Sequence, residues 1–257
     1  MSKKIFVLGG EKGYIGTKLV NYLKIVRPKD EIISIGRGID VCCNYWETSS
    51  TDIIINAAGV GVKPCSDSER YVYDNVMLPW NLSKQIKGSG MKLIHLSSYF
   101  ELFTTNLYAK SKAFASELLK DKPNVSTVYL YNVFGGIEYP NRIMAGIKNS
   151  IKNERIFVLT NPGACRSFVY IDHVLSGLNE VIDKPADVYH FTDGNKISMS
   201  GFVDDLYKEV RKHEIYFDYT MRDSGGYPHD CYTPKVPYFK KLPLMEDLVK
   251  DVKEYIK

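Results

Sequence analysis

The sequence lacks any uninterrupted apolar run near the ~18 residues that a membrane-spanning helix requires. Met1-Ser2-Lys3-Lys4 runs straight into Ile5–Leu8. That opening imitates a signal peptide, but the apolar part is too short and glycine follows at once. A cytoplasmic protein with no membrane partner is expected. Cysteine is scarce and odd in number: Cys42, Cys43, Cys65, Cys165 and Cys231. None falls at CxxC or Cys/His ligand spacing, so free thiols and no metal site are expected. Charge of one sign is also missing. The net charge is +4 over 257 residues, and the lysines are scattered with no basic run, so no nucleic-acid partner is expected. There is no internal repeat and no low-complexity segment. What remains is an ordinary globular composition, 44% hydrophobic and 25% charged, long enough for one large domain or two closely joined ones.

The apolar runs that do occur are short and bounded by glycine or polar residues. "KKIFVLGG", "DEIISIGRG", "TDIIINAAG", "MKLIHLSS" and "STVYLYNVFG" read as buried strands. Stretches with helical spacing lie between most of them: "GYIGTKLVNYLK", "NVMLPWNLSKQIKGSG" and "SKAFASELLKD". Strands alternating with helices indicate βαβ units and a parallel sheet. The gap between the second and third strands is too small for a full crossover helix; a short strand and a single turn are expected there. After residue 136 the pattern loosens. "NRIMAGIKNSIKN", "SMSGFVDDLYKEVRK" and "LMEDLVKDVKEYIK" read as helices, "ERIFVLT" and "VYHFTD" as strands, and "SFVYIDHVLSGLNEVID" as a strand end and helix. The stretch 223–243, rich in Gly, Pro and Tyr, reads as an ordered loop or a lid. The expected fold is α/β, a Rossmann-type doubly wound parallel sheet with a smaller C-terminal α+β domain. The expected division is 1–136, with 167–185 returning to it, and 137–257.

Gly10, Gly13 and Gly16 form G-x-x-G-x-x-G directly after the first strand and before a helix. Glycines there allow a tight turn and close backbone approach to a pyrophosphate, which faces the helix N-terminus. Lys12, Tyr14 and Ile15 lie in the same loop. Where an NAD site usually has a carboxylate at the end of the second strand, this chain has Gly36-Arg37. Arginine can pair with a 2′-phosphate and stack on adenine, and Lys12 adds charge. NADP(H) is therefore favoured over NAD(H). Asp40 either contacts the adenine amine or is a turn residue.

With the glycine loop, "INAAG" and "YAKSK" together, nearly the whole chain resembles the extended short-chain dehydrogenase/reductase family of nucleotide-sugar epimerases, dehydratases and reductases. The resemblance implies that Ala57 and Ala58 line the cofactor and that Asn75 braces the sheet. It implies that "NVFGG", with Asn132, lies beside the nicotinamide and substrate. Through "CRSFVYIDHV", it implies that Arg166 meets the substrate's diphosphate. It makes Tyr108, Lys112 and an upstream serine the catalytic set: Ser98, or Ser97 if the alignment slips by one. Tyr108 and Lys112, four apart on a helix, share a face. Tyrosine alone, with a pKa near ~10, is a poor acid or base at neutral pH, and a neighbouring ammonium favours its phenolate. Domain 1–136 then holds the cofactor and 137–257 the nucleotide sugar. A homodimer is implied by the resemblance only.

Departures from the family narrow the reaction. Dehydratases carry Thr-Asp-Glu at the site; here Tyr99-Phe100-Glu101 follows Ser98. Fucose-synthase-like enzymes use a cysteine and a histidine where this chain has Phe100 and Ile137-Glu138. Tyr129 stands where relatives often have arginine. The short span from Ser98 to Tyr108 resembles the CDP-paratose and CDP-abequose synthase type. The expected activity is thus NADPH-dependent reduction of the 4-keto group of a nucleotide-linked deoxy sugar. The alternatives are a 4-epimerase with bound NAD and a non-catalytic NADP-sensing regulator. His95 and His173 read as structural. His229 reads as exposed or substrate-contacting, and Cys65 as a loop or active-site residue.

Overall fold

The computed structural model describes residues 2–36, 49–61, 68–103, 106–136, 138, 140, 142–222 and 232–256. It divides into two compact units, 1–130 with 175–190, and 131–174 with 191–257.

In the first unit, β1 (Lys4–Leu8), β2 (Glu31–Ile35), β3 (Ile53–Asn56), β4 (Lys92–Ser98) and β5 (Val125–Leu130) build the main sheet. β1 pairs with β2 and β3, β3 with β4 and β4 with β5, all parallel, and β10 (Val188–Phe191) completes the order β10-β5-β4-β3-β1-β2. Ile53–Asn56 is buried at every position. A strand covered on both faces must be apolar throughout, which is why these segments read as runs rather than alternations. Phe6, Leu8, Ile54 and Leu93 share one face and cluster with Leu82, Ile86 and Leu119. Their neighbours Ile5, Val7, Ile53, Ile55 and Ile94 point the other way and are equally buried. Truncating one such side chain to alanine costs about 2–5 kcal/mol.

The helices of this unit are α1 (Tyr14–Val26), α2 (Ser68–Val72), α3 (Leu78–Gln85) and α4 (Leu107–Leu119). One π-helical turn, Tyr73–Met77, joins α2 to α3. The helix expected at 75–90 therefore starts earlier and stops at Gln85, short of Gly88 and Gly90. Both glycines adopt positive φ, which ends a helix. The chain order reverses at β1, whose neighbours are β2 and β3. In such sheets ligands bind at the carboxyl ends of the strands flanking that switch point.

The second unit holds β6 (Asn132–Phe134), β7 (Phe157–Thr160), β8 (Cys165–Arg166), β9 (Phe168–Tyr170), β11 (Ile197–Ser198) and β12 (Tyr219–Arg222). They pair only two by two: β6 with β9, β7 with β12, β8 with β11. The strand expected over 126–135 is thus corrected. It breaks at Tyr131 into β5 and β6, which belong to different sheets. Its helices are α5 (Ile143–Lys152), α7 (Met199–Arg211) and α8 (Leu244–Ile256), while α6 (Ile171–Asp183) belongs from Leu175 onward to the first unit. Phe202 of α7 stacks on Phe168 at 4.3 Å. Residues 232–243 carry no regular element, but Tyr238 and Phe239 pack on Phe191. Among the described residues, no helix is long and apolar enough to cross a membrane, and no cluster of His, Cys, Asp or Glu is placed to hold a metal ion. The short strand and turn expected between β2 and β3 fall at 37–48, outside the described residues.

Candidate active site

The turn after β1 is held by the sheet itself. The N–H groups of Gly9 and Gly10 donate to the Ile35 carbonyl at 2.8 and 3.2 Å, and Gly13 N–H donates to Gly9 at 2.9 Å. Gly9 has φ of +79°, a conformation that favours glycine. A Cβ at Gly16 would strike the Gly9 carbonyl, 2.6 Å from its carbon. Helix and loop are therefore in direct backbone contact, and only glycine fits. Gly10 and Gly13 are buried, Tyr14 and Ile15 half-buried, and Lys12 exposed. Gly13 is the N-cap of helix α1 and offers no side-chain cap, the arrangement that suits an anion at a helix N-terminus.

The loop after β3 lies alongside. Ala57 N–H donates to the Leu8 carbonyl at 3.1 Å, and Ala58 N–H to Asn56 Oδ1 at 3.2 Å. Asn75 is fully buried in the π-helical turn. Its Oδ1 accepts from Val60 N–H at 2.9 Å, and its Nδ2 donates to the Val60 carbonyl and to Ser111 Oγ at 3.1 and 3.0 Å. Asn75 thus ties the loop to α4. A Cβ on Gly59 would lie 3.3 Å from Lys112 Nζ, so this backbone runs against the lysine. The two loops and α4 form one cradle at the switch point, whose floor admits no side chain. That geometry fits a dinucleotide.

Tyr108 is half-buried and Lys112 buried on α4, which is capped by Asn106 accepting from Ala109 N–H at 2.8 Å. Lys112 Nζ donates to the Leu96 carbonyl at 3.0 Å. Burial pushes its ammonium down from 10.5 to about 8, while the Glu101 charge pulls it back up. Ser97 and Ser98 end β4 and point to opposite faces. The Ser98 hydroxyl accepts from Phe100 N–H at 3.3 Å, capping the 3-10 turn Tyr99–Leu102. The Ser97 hydroxyl is taken up internally. It donates to Glu101 and accepts from Ser116 at 3.3 Å.

Two further carboxylates stand near these groups: Glu11, to which the sequence pattern gave no role, and Glu101, which entered only as a departure from the dehydratase pattern. Glu11, in the glycine loop, stands against Gly36 at the end of β2: a Cβ there would lie 2.9 Å from the Glu11 Cδ. The negative charge missing from the strand end is supplied by the loop. Glu101 is half-buried, its carboxylate accepting from Ser97. His95 is fully buried, its Nδ1 3.3 Å from Asn56 Nδ2, and burial holds it well below its usual range. In the second unit, Asn132 Nδ2 donates to the Ser167 carbonyl at 2.8 Å. Arg166 is buried and donates to the Cys165 carbonyl at 2.6 Å. His173 pairs with Asp247 at 2.9 Å. Arg37, Asp40, Cys42, Cys43, Cys65, His229 and Cys231 lie outside the described residues.

A family model described as NAD dependent epimerase/dehydratase matches residues 5–195. Among curated proteins there is no significant match. Solved structures share the fold over almost the whole chain. UDP-glucuronic acid 4-epimerase of Bacillus cereus, in complex with UDP-glucuronic acid and NAD, is 16% identical with a TM-score of 0.77, covering 98% of both chains. dTDP-glucose 4,6-dehydratase of Bacillus anthracis, with NAD, is 18% identical with a TM-score of 0.74, covering 99% of this chain and 96% of that one. ADP-L-glycero-D-manno-heptose-6-epimerase of Helicobacter pylori is 16% identical with a TM-score of 0.76, covering 99% and 95%. The expectation of NADP(H) is corrected by these findings. The matching family is NAD dependent, and the two Bacillus structures hold NAD. A carboxylate beside the end of β2, as at Glu11, suits ribose hydroxyls and disfavours a 2′-phosphate.

Proposed function

Because the chain belongs to the NAD dependent epimerase/dehydratase family, we propose that it is a nucleotide-sugar 4-epimerase that keeps its NAD bound. One observation carries the reading: a half-buried tyrosine one helical turn from a buried lysine, beside a glycine-floored cradle. NAD, when bound, supplies the hydride acceptor and donor. The cofactor would be held by Gly10, Gly13, Tyr14, Ile15 and Gly16 at the phosphates, Glu11 at the ribose, and Ala57 and Ala58 along the loop after β3. Tyr108 takes the proton from the sugar's C4 hydroxyl and returns it once the configuration has been reversed. Lys112 favours the Tyr108 phenolate with its charge. Ser98 donates to the carbonyl oxygen formed at C4; the internal engagement of Ser97 supports that assignment over its neighbour. Asn132 and Arg166 belong to the same reading as sugar-nucleotide contacts, by resemblance. So does homodimerisation through α4, on which Leu107 and Phe114 are 46% and 57% exposed.

Dehydration is disfavoured, since Tyr99, Phe100 and Phe103 form an aromatic cluster where dehydratases carry adjacent carboxylates. A second reading, 4-ketoreduction with NADH, draws on the short span between Ser98 and Tyr108. The test has two readouts. The purified protein is denatured and its supernatant examined for NAD absorbance. It is also incubated with nucleotide sugars, UDP-glucuronic acid among them, and C4 epimers are followed by NMR. Bound NAD with formation of an epimer is the expected result. NADH consumption by a keto sugar, with no epimer from any substrate, would replace the proposal with the second reading.

A further inference from the structure

Helix α4 presents Tyr108, Lys112 and Ser116 at intervals of four, on one face. The first two are accounted for above. Ser116 leads elsewhere. It donates to Ser97 Oγ at 3.3 Å, Ser97 donates to the Glu101 carboxylate, and the Ser116 and Tyr129 hydroxyls lie near enough to that carboxylate to favour its ionised form. Lys112 in turn bonds the carbonyl of Leu96, the residue before Ser97. The 3-10 turn after Ser98 folds Glu101 back under the strand end, so that it terminates the stripe of hydroxyl, ammonium and carboxylate.

We infer that Glu101 is a positioning residue: the half-buried counter-charge that keeps Lys112 protonated, and so keeps Tyr108 competent, at neutral pH. This rests on the proposed reading of Tyr108 and Lys112 but deepens it with a residue that touches neither substrate nor cofactor. A buried lysine amine tends to lose its proton because charge is costly in a poorly polarisable interior. Three hydroxyls around Glu101 do the opposite for the carboxylate. They favour its ionised form and offset part of its burial, which is the larger effect and still leaves its pKa raised. Among the described residues, the groups facing this pair are few. His95, on β4, is held neutral by burial and by Lys112. Tyr129, on β5, stacks on His190 of β10 at 4.8 Å, and burial also keeps that histidine below its usual range. Tyr108 is on α4 itself. Glu101 is therefore the anion of this cluster.

The test reads Lys112 directly. In the ¹⁵N-lysine-labelled full chain, the Nζ signal is assigned by its loss in Lys112→Met and titrated without substrate. In Glu101→Gln, which keeps an oxygen to accept from the hydroxyls, the midpoint is expected to fall by about one pH unit, the effect of losing one near opposite charge. The alkaline limb of the turnover profile should move down with it. An unchanged midpoint overturns the inference, whatever the turnover. Loss of turnover equally at every pH, with the midpoint unmoved, marks a purely structural role and also overturns it. If Glu101→Gln does not fold, the native chain decides through the Glu101 ¹³Cδ shift. An ionised carboxylate at pH 7 supports the counter-charge, and a protonated one contradicts it. Failure to find epimerisation would remove the proposed function yet leave the Lys112 midpoint measurable.

Discussion

Each unit buries a lysine, and the two are treated oppositely. Lys148, on α5, is 1% exposed and fully answered. It meets Asp251 at 2.8 Å, Glu138 at 3.3 Å and the Gly136 carbonyl at 2.7 Å. Lys112 is 5% exposed and donates to one carbonyl among the described residues, with its carboxylate set back behind hydroxyls. A charge met directly by two carboxylates joins α5 to α8 and has nothing left to do. A charge met at a distance stays close to titration, which is what a proton-handling site needs. A lowered pKa alone would not make the distinction. Lys92 is also pushed to about 8, by partial burial, yet it donates to the carbonyls of Val181 and Lys184 at 2.5 and 2.6 Å. That is a helix-end contact, favoured by the negative end of the helix dipole. Of these three lysines, only Lys112 shares a helix face with a half-buried tyrosine.

Substitution of each lysine should separate these roles. Lys112→Met is expected to lower turnover by about 10²–10⁴-fold, the range for loss of general acid–base function, while the melting temperature stays near native. Lys148→Met is expected to do the reverse. It leaves Glu138 and Asp251 buried and unpaired, a loss of about 3–5 kcal/mol in stability, read by denaturant titration of the whole chain. Equal stability losses in the two variants would erase the contrast. Glu11→Gln is a smaller change, at a site that orients the cofactor without handling a proton. About tenfold weaker NAD binding is expected by calorimetry, the worth of one charge-assisted hydrogen bond, with improved tolerance of NADP. Unchanged affinity for both would remove Glu11 from the ribose site.

The smallest effect is at His173. Its hydrogen bond to Asp247, against some burial, raises it above its ordinary value of 6.5. A pKa raised by folding contributes stability that is fully present below pH 6.5 and is lost as pH rises through the folded value. Asp247→Asn should flatten that part of the stability–pH curve, and a curve of unchanged slope would show that the pair is not coupled to folding.

Much of the first unit was legible because buried parallel strands must be apolar throughout; "IIIN" and "KLIHLSS" admit few other readings. The second unit was less so. Strands β8 and β11 have two residues each, too few for any period. The exposed strand β12 gains its identity only by pairing with Phe157–Thr160, some sixty positions earlier. The break at Tyr131 is invisible in an unbroken β-rich run. At the site, Tyr108 and Lys112 declared themselves through spacing and family resemblance. Glu11 did not, because a carboxylate was looked for at the end of β2, and the one proposed for the ribose stands in the loop folded onto Gly36. Glu101 was read only as a departure from the dehydratase pattern, since its partners Ser116 and Tyr129 are brought to it by folding alone.

The most direct measurement follows configuration at C4 of nucleotide hexoses carrying deuterium on that carbon, with the native chain and with Tyr108→Phe. Native protein that interconverts the two C4 epimers, against a variant that still binds NAD but converts neither, is the predicted result. A Tyr108→Phe variant that epimerises at near-native rate would contradict the assignment of this helix face as the catalytic centre.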